Sequence, residues 1–204
     1  MLFNLIITGV GGQGNVLASQ IVGRTAVKKG MRVTIGETFG LSQRGGPVMS
    51  HIRLSDHGQT GPLIPPCGAH IILGLEPMET LRIVPSYGNQ HTIYIVNSRP
   101  IYPLNVIAGE VVYPDLQTIQ NVLTTISGRL YWIEATKHAL QLGPAILMNM
   151  IMLGALCAID SFPLNRKDFD AVLPDIFPAT KCKLNHEALA IGERLIQSDR
   201  ISFD

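Results

Sequence analysis

Apolar residues follow two rhythms along this chain. Short runs rich in Ile, Val, Leu and Tyr predict strands at residues 3–8, 32–38, 48–54, 70–75, 92–96, 110–113 and 130–134. Helical spacing fills several gaps between them, at 15–29, 77–84, 115–127, 137–142, 144–159 and 185–197. Strands alternating with helices predict a largely parallel sheet with helices on both faces, a three-layer α/β/α architecture. The stretch Ser50-His51-Ile52-Arg53-Leu54-Ser55 instead alternates polar with apolar residues, as a strand with one wetter face does, whether antiparallel or at an edge. The sheet is therefore expected to be mixed.

The longest apolar run, 145–159, is interrupted by Asn149 and Gly154 and falls short of the roughly 20 residues that span a bilayer. With Pro144 at its first turn, it reads as a helix apolar on nearly all sides, buried in the core or against another subunit. Residues 55–68, rich in Gly and Pro, predict a surface excursion rather than a linker. Three prolines spread through 162–178 predict short helices and turns. No internal repeat divides the chain, and a single domain over 1–204 is expected.

Composition narrows the function. Hydrophobic residues make up 46% and charged residues 15%, more apolar surface than one small domain readily hides. Sixteen basic against fifteen acidic side chains, with no basic run, argue against nucleic acid and against an anionic membrane. Cys67, Cys157 and Cys182 form no C-x-x-C pair, so zinc and iron–sulfur clusters lack a ligand set. Sparse cysteines and an N-terminus without a cationic leader predict a cytoplasmic protein.

The candidate chemistry begins at Gly9-Val10-Gly11-Gly12-Gln13-Gly14, between the first strand and the first helix. Its spacing fits G-x-G-x-x-G, and Glu37 ends the next strand roughly twenty residues on, as in a dinucleotide site. Gly9, Gly11, Gly12 and Gly14 either receive an anion at the helix start or let strand and helix pack closely. Gln13 offers amide hydrogen bonds to a cofactor, to a partner's backbone or to solvent. A second motif, Glu37-Thr38-Phe39-Gly40-Leu41-Ser42-Gln43-Arg44-Gly45-Gly46, then stands where a simple dinucleotide unit would pass directly into its next helix. Arg44, flanked by Gln43, Gly45 and Gly46, offers a planar fork for carboxylate or phosphate, with Ser42 and Gln43 as neutral partners. An ion pair with Glu37 is the intramolecular alternative. Asn97 and Arg99 follow a strand at the edge where α/β sheets bind ligands. His51 belongs to no triad motif, and His70, His138 and His186 have no metal-ligand spacing.

Together these two motifs resemble the gamma-type subunit of 2-oxoacid:ferredoxin oxidoreductases, and most of all its indolepyruvate-oxidising branch. Further segments agree in order: Pro62-Leu63-Ile64-Pro65, Gly74-Leu75-Glu76-Pro77, Val96-Asn97-Ser98-Arg99-Pro100, Asn149 with Met152-Leu153-Gly154-Ala155-Leu156, and residues 185–192. The resemblance implies a Rossmann-like start and a gamma-type domain. It also implies oxidative decarboxylation of a 2-oxoacid to an acyl-CoA, the substrate being indolepyruvate or another arylpyruvate. Thiamine diphosphate, Mg and iron–sulfur clusters are then expected in a larger partner subunit, with ferredoxin reached through the complex. This chain would bind no cofactor alone, carry no catalytic residue and complete an active site that coenzyme A shares. Arg44 would meet a coenzyme A phosphate, the substrate carboxylate or an acid of the larger subunit. The alternative is a free-standing NAD(P)-binding oxidoreductase or regulator.

Overall fold

A computed structural model describes residues 1–39 and 46–201. Six strands, β1 (Leu2–Val10), β2 (Arg32–Phe39), β3 (Pro47–Ser55), β4 (Ile71–Gly74), β5 (Ile93–Asn97) and β6 (Arg129–Ile133), form one sheet in the order β2-β3-β1-β4-β5-β6. Pairs β1–β4, β4–β5 and β5–β6 are parallel, whereas β3 runs antiparallel to both β1 and β2. The sheet is mixed, as expected. All of β1 after Leu2 is buried, because both faces of this central strand are covered.

The period-two alternation sorts the sheet's side chains into two cores. Leu5, Ile7, Ile52, Leu54, Leu73 and Tyr131 face α1 (Asn15–Lys28), α5 (Ala135–Leu142), α6 (Met148–Cys157) and α9 (Ala179–Ile201). Ile6, Ile72, Tyr94 and Val96 face α2 (Pro77–Tyr87) and α4 (Leu116–Ile126), which completes three layers. Each fully buried Leu or Ile contributes about 1.5–3 kcal/mol of transfer free energy. One-turn helices α3 (Leu104–Ile107) and α8 (Leu173–Ile176) and the short α7 (Arg166–Asp170) fill connections, the last two within the proline-spaced 162–178 segment.

Three expectations are revised. Residues 110–113 form no strand: Val111 and Val112 are exposed and Tyr113 turns inward to a carboxylate, so β-propensity found no strand to pair with. The polar face of β3 is not wet. Residues 56–70 cross it, His51 Nδ1 accepts the Ile64 N–H at 3.3 Å, and Arg53 donates to the Gly61 and Leu63 carbonyls at 3.1 Å each. A loop laid on a sheet needs partners for its backbone, and these polar side chains supply them. The apolar run begins with a 3₁₀ turn at Ala145–Leu147 and continues as α6, where every residue from Met148 to Leu156 is buried within this chain. Core contact against α9 thus accounts for its apolar surface. A Cβ on Gly154 would lie 2.0 Å from the Leu189 carbonyl oxygen, so the two backbones touch. No described helix is long and apolar enough to cross a membrane.

Candidate functional site at the carboxyl edge of the sheet

The glycine turn leaves β1 at Val10 and enters α1 at Asn15, with Gly12 at φ 100° and Gly14 at φ 86°. Both values lie where only glycine is unstrained. Much of the turn's hydrogen bonding is spent inside the fold. Gly11 N–H donates to the Gly46 carbonyl at 2.8 Å, and Gln13 N–H to the Val10 carbonyl at 3.1 Å. The turn therefore holds Gly46, the residue before β3. What it presents outward is the exposed backbone of Gly12.

Gln13 is folded inward. Its Oε1 accepts the Val10 N–H at 2.7 Å and its Nε2 donates to the Leu75 carbonyl at 3.0 Å. Gly9 makes room for it, since a Cβ there would lie 2.5 Å from that Oε1. Asn149 of α6 donates to the Gln13 carbonyl at 2.7 Å, and a Cβ on Gly14 would meet Asn149 Nδ2 at 2.3 Å. Asn15 ties α1 to the Val48 carbonyl at 3.1 Å. The Oδ1 atoms of Asn15 and Asn149 are buried without a hydrogen-bond partner among the described residues, so the turn keeps unspent acceptors.

Asn97 is fully buried at the end of β5. Its Nδ2 donates to the Leu75 carbonyl and to Thr136 Oγ1, both at 3.0 Å, and its Oδ1 accepts the Thr136 N–H at 3.1 Å. Gln13, Asn97 and Asn149 thus knit β1, β4, β5 and α6 with neutral carboxamides. Arg99 stands beyond them, exposed and without a hydrogen-bond or ion-pair partner among the described residues. It lines a cleft of about 1090 Å³ at the ends of β5 and β6. Of the sequence candidates, Gly9, Gly11, Gly12, Gln13, Gly14 and Gly46 meet at one turn, and Asn97 reaches it through Leu75. Ser42, Gln43, Arg44 and Gly45 lie outside the described residues.

Glu37 does not reach the glycine turn as a dinucleotide-site acid would. Strand β3 separates β2 from β1, so Glu37 lies two strand spacings away, roughly 10 Å rather than 5 Å. Its carboxylate accepts from Ser19 of α1 at 3.1 Å. Gln13 also occupies space between the ends of β1 and β4, the crevice a dinucleotide would cross.

A residue that motif reading passed over is Glu76, buried at the N-cap of α2 before Pro77. Its Oε2 accepts the Glu79 N–H at 2.8 Å, while its Oε1 accepts from Ile101 N at 3.3 Å and from the Tyr113 hydroxyl at 2.5 Å. One carboxylate thereby closes the 101–113 segment into a loop. Burial and the Glu76 carboxylate push the Tyr113 hydroxyl's pKa far up, and burial raises that of Glu79 against the opposing pull of Arg82. The signal in the sequence was an acid directly before a proline that opens a helix.

Comparison with known proteins fits this fold. The sequence profile of the pyruvate ferredoxin/flavodoxin oxidoreductase family matches residues 4–194. Indolepyruvate oxidoreductase subunit IorB of Archaeoglobus fulgidus is 34% identical over 202 residues, covering 99% of each chain. Among solved structures, the gamma subunit of a keto/oxoacid ferredoxin oxidoreductase from Geobacter sulfurreducens superposes with a TM-score of 0.69 at 17% identity, covering 96% of this chain and 99% of that one. Pyruvate oxidoreductase subunit PORC of Thermotoga maritima gives 0.69 at 22% identity, covering 95% and 96%. The two structures share the fold.

Proposed function

Because the chain belongs to the pyruvate ferredoxin/flavodoxin oxidoreductase family, we propose that it is the small subunit of a 2-oxoacid:ferredoxin oxidoreductase that oxidises indolepyruvate or another arylpyruvate. In this reading it forms one cytoplasmic domain over 1–204, has no catalytic residue of its own and closes the active site of a larger partner. The 34% identity to an indolepyruvate oxidoreductase subunit over nearly the whole chain carries the reading.

The residues here do not fit an iron–sulfur cluster: Cys67 is exposed on the 56–70 loop, Cys157 ends α6, and Cys182 sits in α9. No group of three possible ligands occurs among the described residues. Thiamine diphosphate, Mg and the clusters then belong to the larger subunit, which decarboxylates the oxoacid and passes electrons to ferredoxin. Coenzyme A enters at the shared site. What this chain contributes is an edge held rigid by Gln13, Asn97 and Asn149, with bare backbone at Gly12. In sequence, Ser42, Gln43 and Arg44 stand between the end of β2 and Gly46, whose carbonyl is bonded to Gly11 beside that backbone. Arg44 supplies the fork for a coenzyme A phosphate, the substrate carboxylate or an acid of the partner.

The test is reconstitution. The chain alone should be silent with any 2-oxoacid, coenzyme A and acceptor, and coexpression with the larger subunit should restore turnover. Arg44→Lys, which keeps charge but loses the fork, should lower turnover of the complex while leaving the subunit's melting temperature nearly unchanged. Saturable binding of NAD or NADP in calorimetry would favour the dinucleotide alternative, against which stand the inward Gln13 and the displaced Glu37. Decarboxylation by the isolated chain with thiamine diphosphate alone would overturn the proposal.

A further inference from the structure

We propose that the cleft at the ends of β5 and β6 is a binding site of this chain's own for an aromatic carboxylate. About 1090 Å³ is ample for a small organic ligand. Its wall combines the half-buried indole of Trp132 with Leu116 and the exposed Leu140. Two cationic side chains line it, and they differ in what they have left to give. Lys137 is neutralised by Glu134 at 2.7 Å. Arg99 has no partner among the described residues, so its five donors remain for a ligand.

An unpaired guanidinium and an indole lining one cleft select for two features at once. The fork takes a carboxylate in two parallel hydrogen bonds, and the indole and leucines take a flat apolar ring. Asn97, which also lines the cleft, has its amide nitrogen already bonded to Leu75 and Thr136. The ligand is therefore an aryl ring on a short chain ending in a carboxylate. The choice of indole-3-acetate as probe rests on the arylpyruvate reading above; the site itself rests on the cleft.

The chain has a single tryptophan, so its indole N–H gives one nitrogen–proton NMR cross-peak and reports on this wall directly. Titrating the isolated full chain with indole-3-acetate should shift that peak saturably, with a dissociation constant on the order of 1 mM for so small a ligand. Arg99→Ala should weaken binding about tenfold or more, and indole, without the carboxylate, should bind as weakly to the native chain. Arg99 is exposed and outside both cores, so the variant folds. Three results would overturn the proposal: no saturable shift, equal affinity for indole and indole-3-acetate, or a shift produced by coenzyme A and not by indole-3-acetate. Because binding is read on the isolated chain and turnover on the complex, the failure of either proposal is distinguishable from the failure of the other.

Discussion

Gln13 and Asn97 donate their side-chain amides to one acceptor, the main-chain oxygen of Leu75, each at 3.0 Å. That oxygen ties the glycine turn to the end of β5 through the residue following β4. Gln13→Ala strands the Val10 N–H and Asn97→Ala strands the Thr136 N–H, and each should cost about 1–3 kcal/mol in urea unfolding. In either single variant Leu75 keeps one donor. In the double variant it keeps neither, so the loss should exceed the sum of the singles by at least about 0.5 kcal/mol. Simple additivity would show that the two amides act independently.

Gly12 and Gly14 share a positive φ but differ in surroundings. A Cβ on Gly12 meets nothing within 4 Å, whereas on Gly14 it strikes Asn149 Nδ2. Gly12→Ala should therefore cost only its backbone strain, about 1–2 kcal/mol, and Gly14→Ala about 3 kcal/mol once the Asn149 bond is displaced. If the exposed turn meets a partner, Gly12→Ala should still assemble poorly with the larger subunit. Calorimetric melting of each variant and a pull-down of the complex separate the two effects, and normal assembly by Gly12→Ala would remove the turn from the interface.

The backbone contact between α6 and α9 makes a steeper prediction. A Cβ on Gly192 would lie 1.8 Å from the Ile151 carbonyl oxygen, the counterpart of the Gly154 contact with Leu189. Gly154→Ala should force the helices apart and destabilise by more than about 3 kcal/mol, leaving much of the chain unfolded at 37 °C. A circular dichroism melt matching that of the native chain would refute this.

Acid should weaken the fold through His51. Desolvation holds its pKa below the ordinary 6.5, so the unfolded chain takes up a proton more readily than the native one. Stability from this group is complete above pH 6.5 and falls as pH drops below it, by up to about 1.4 kcal/mol per pH unit. His51→Gln keeps an acceptor for Ile64 N–H and should reduce the fall of the urea midpoint between about pH 6.5 and 5, the remainder coming from His70, whose pKa burial also lowers. A slope unchanged by the substitution would place the titration elsewhere.

Much of the candidate site was legible because its residues obey local rules. Gly12 and Gly14 take backbone angles that a strand-to-helix reversal requires, and Asn97 ends its strand where the sheet's carboxyl edge must lie. Glu76 was harder to read, since its partners Ile101 and Tyr113 are distant in sequence and a lone acid before a proline announces only a cap. Trp132 and Arg99 meet at a cleft that no spacing rule connects.

The sequence by itself determined the six strands that form, the longer helices between them, the mixed sheet, an all-round apolar α6 and the glycine turn, because hydrophobic period and φ requirements are properties of neighbouring residues. Only the tertiary structure decided that β3 would lie between β1 and β2, that Gln13 would turn inward to Leu75, and that residues 110–113 would serve a carboxylate instead of a strand. Those outcomes depend on which distant groups are left needing a partner when the chain folds. A buried carbonyl or N–H accepts whichever donor or acceptor the packing brings to it.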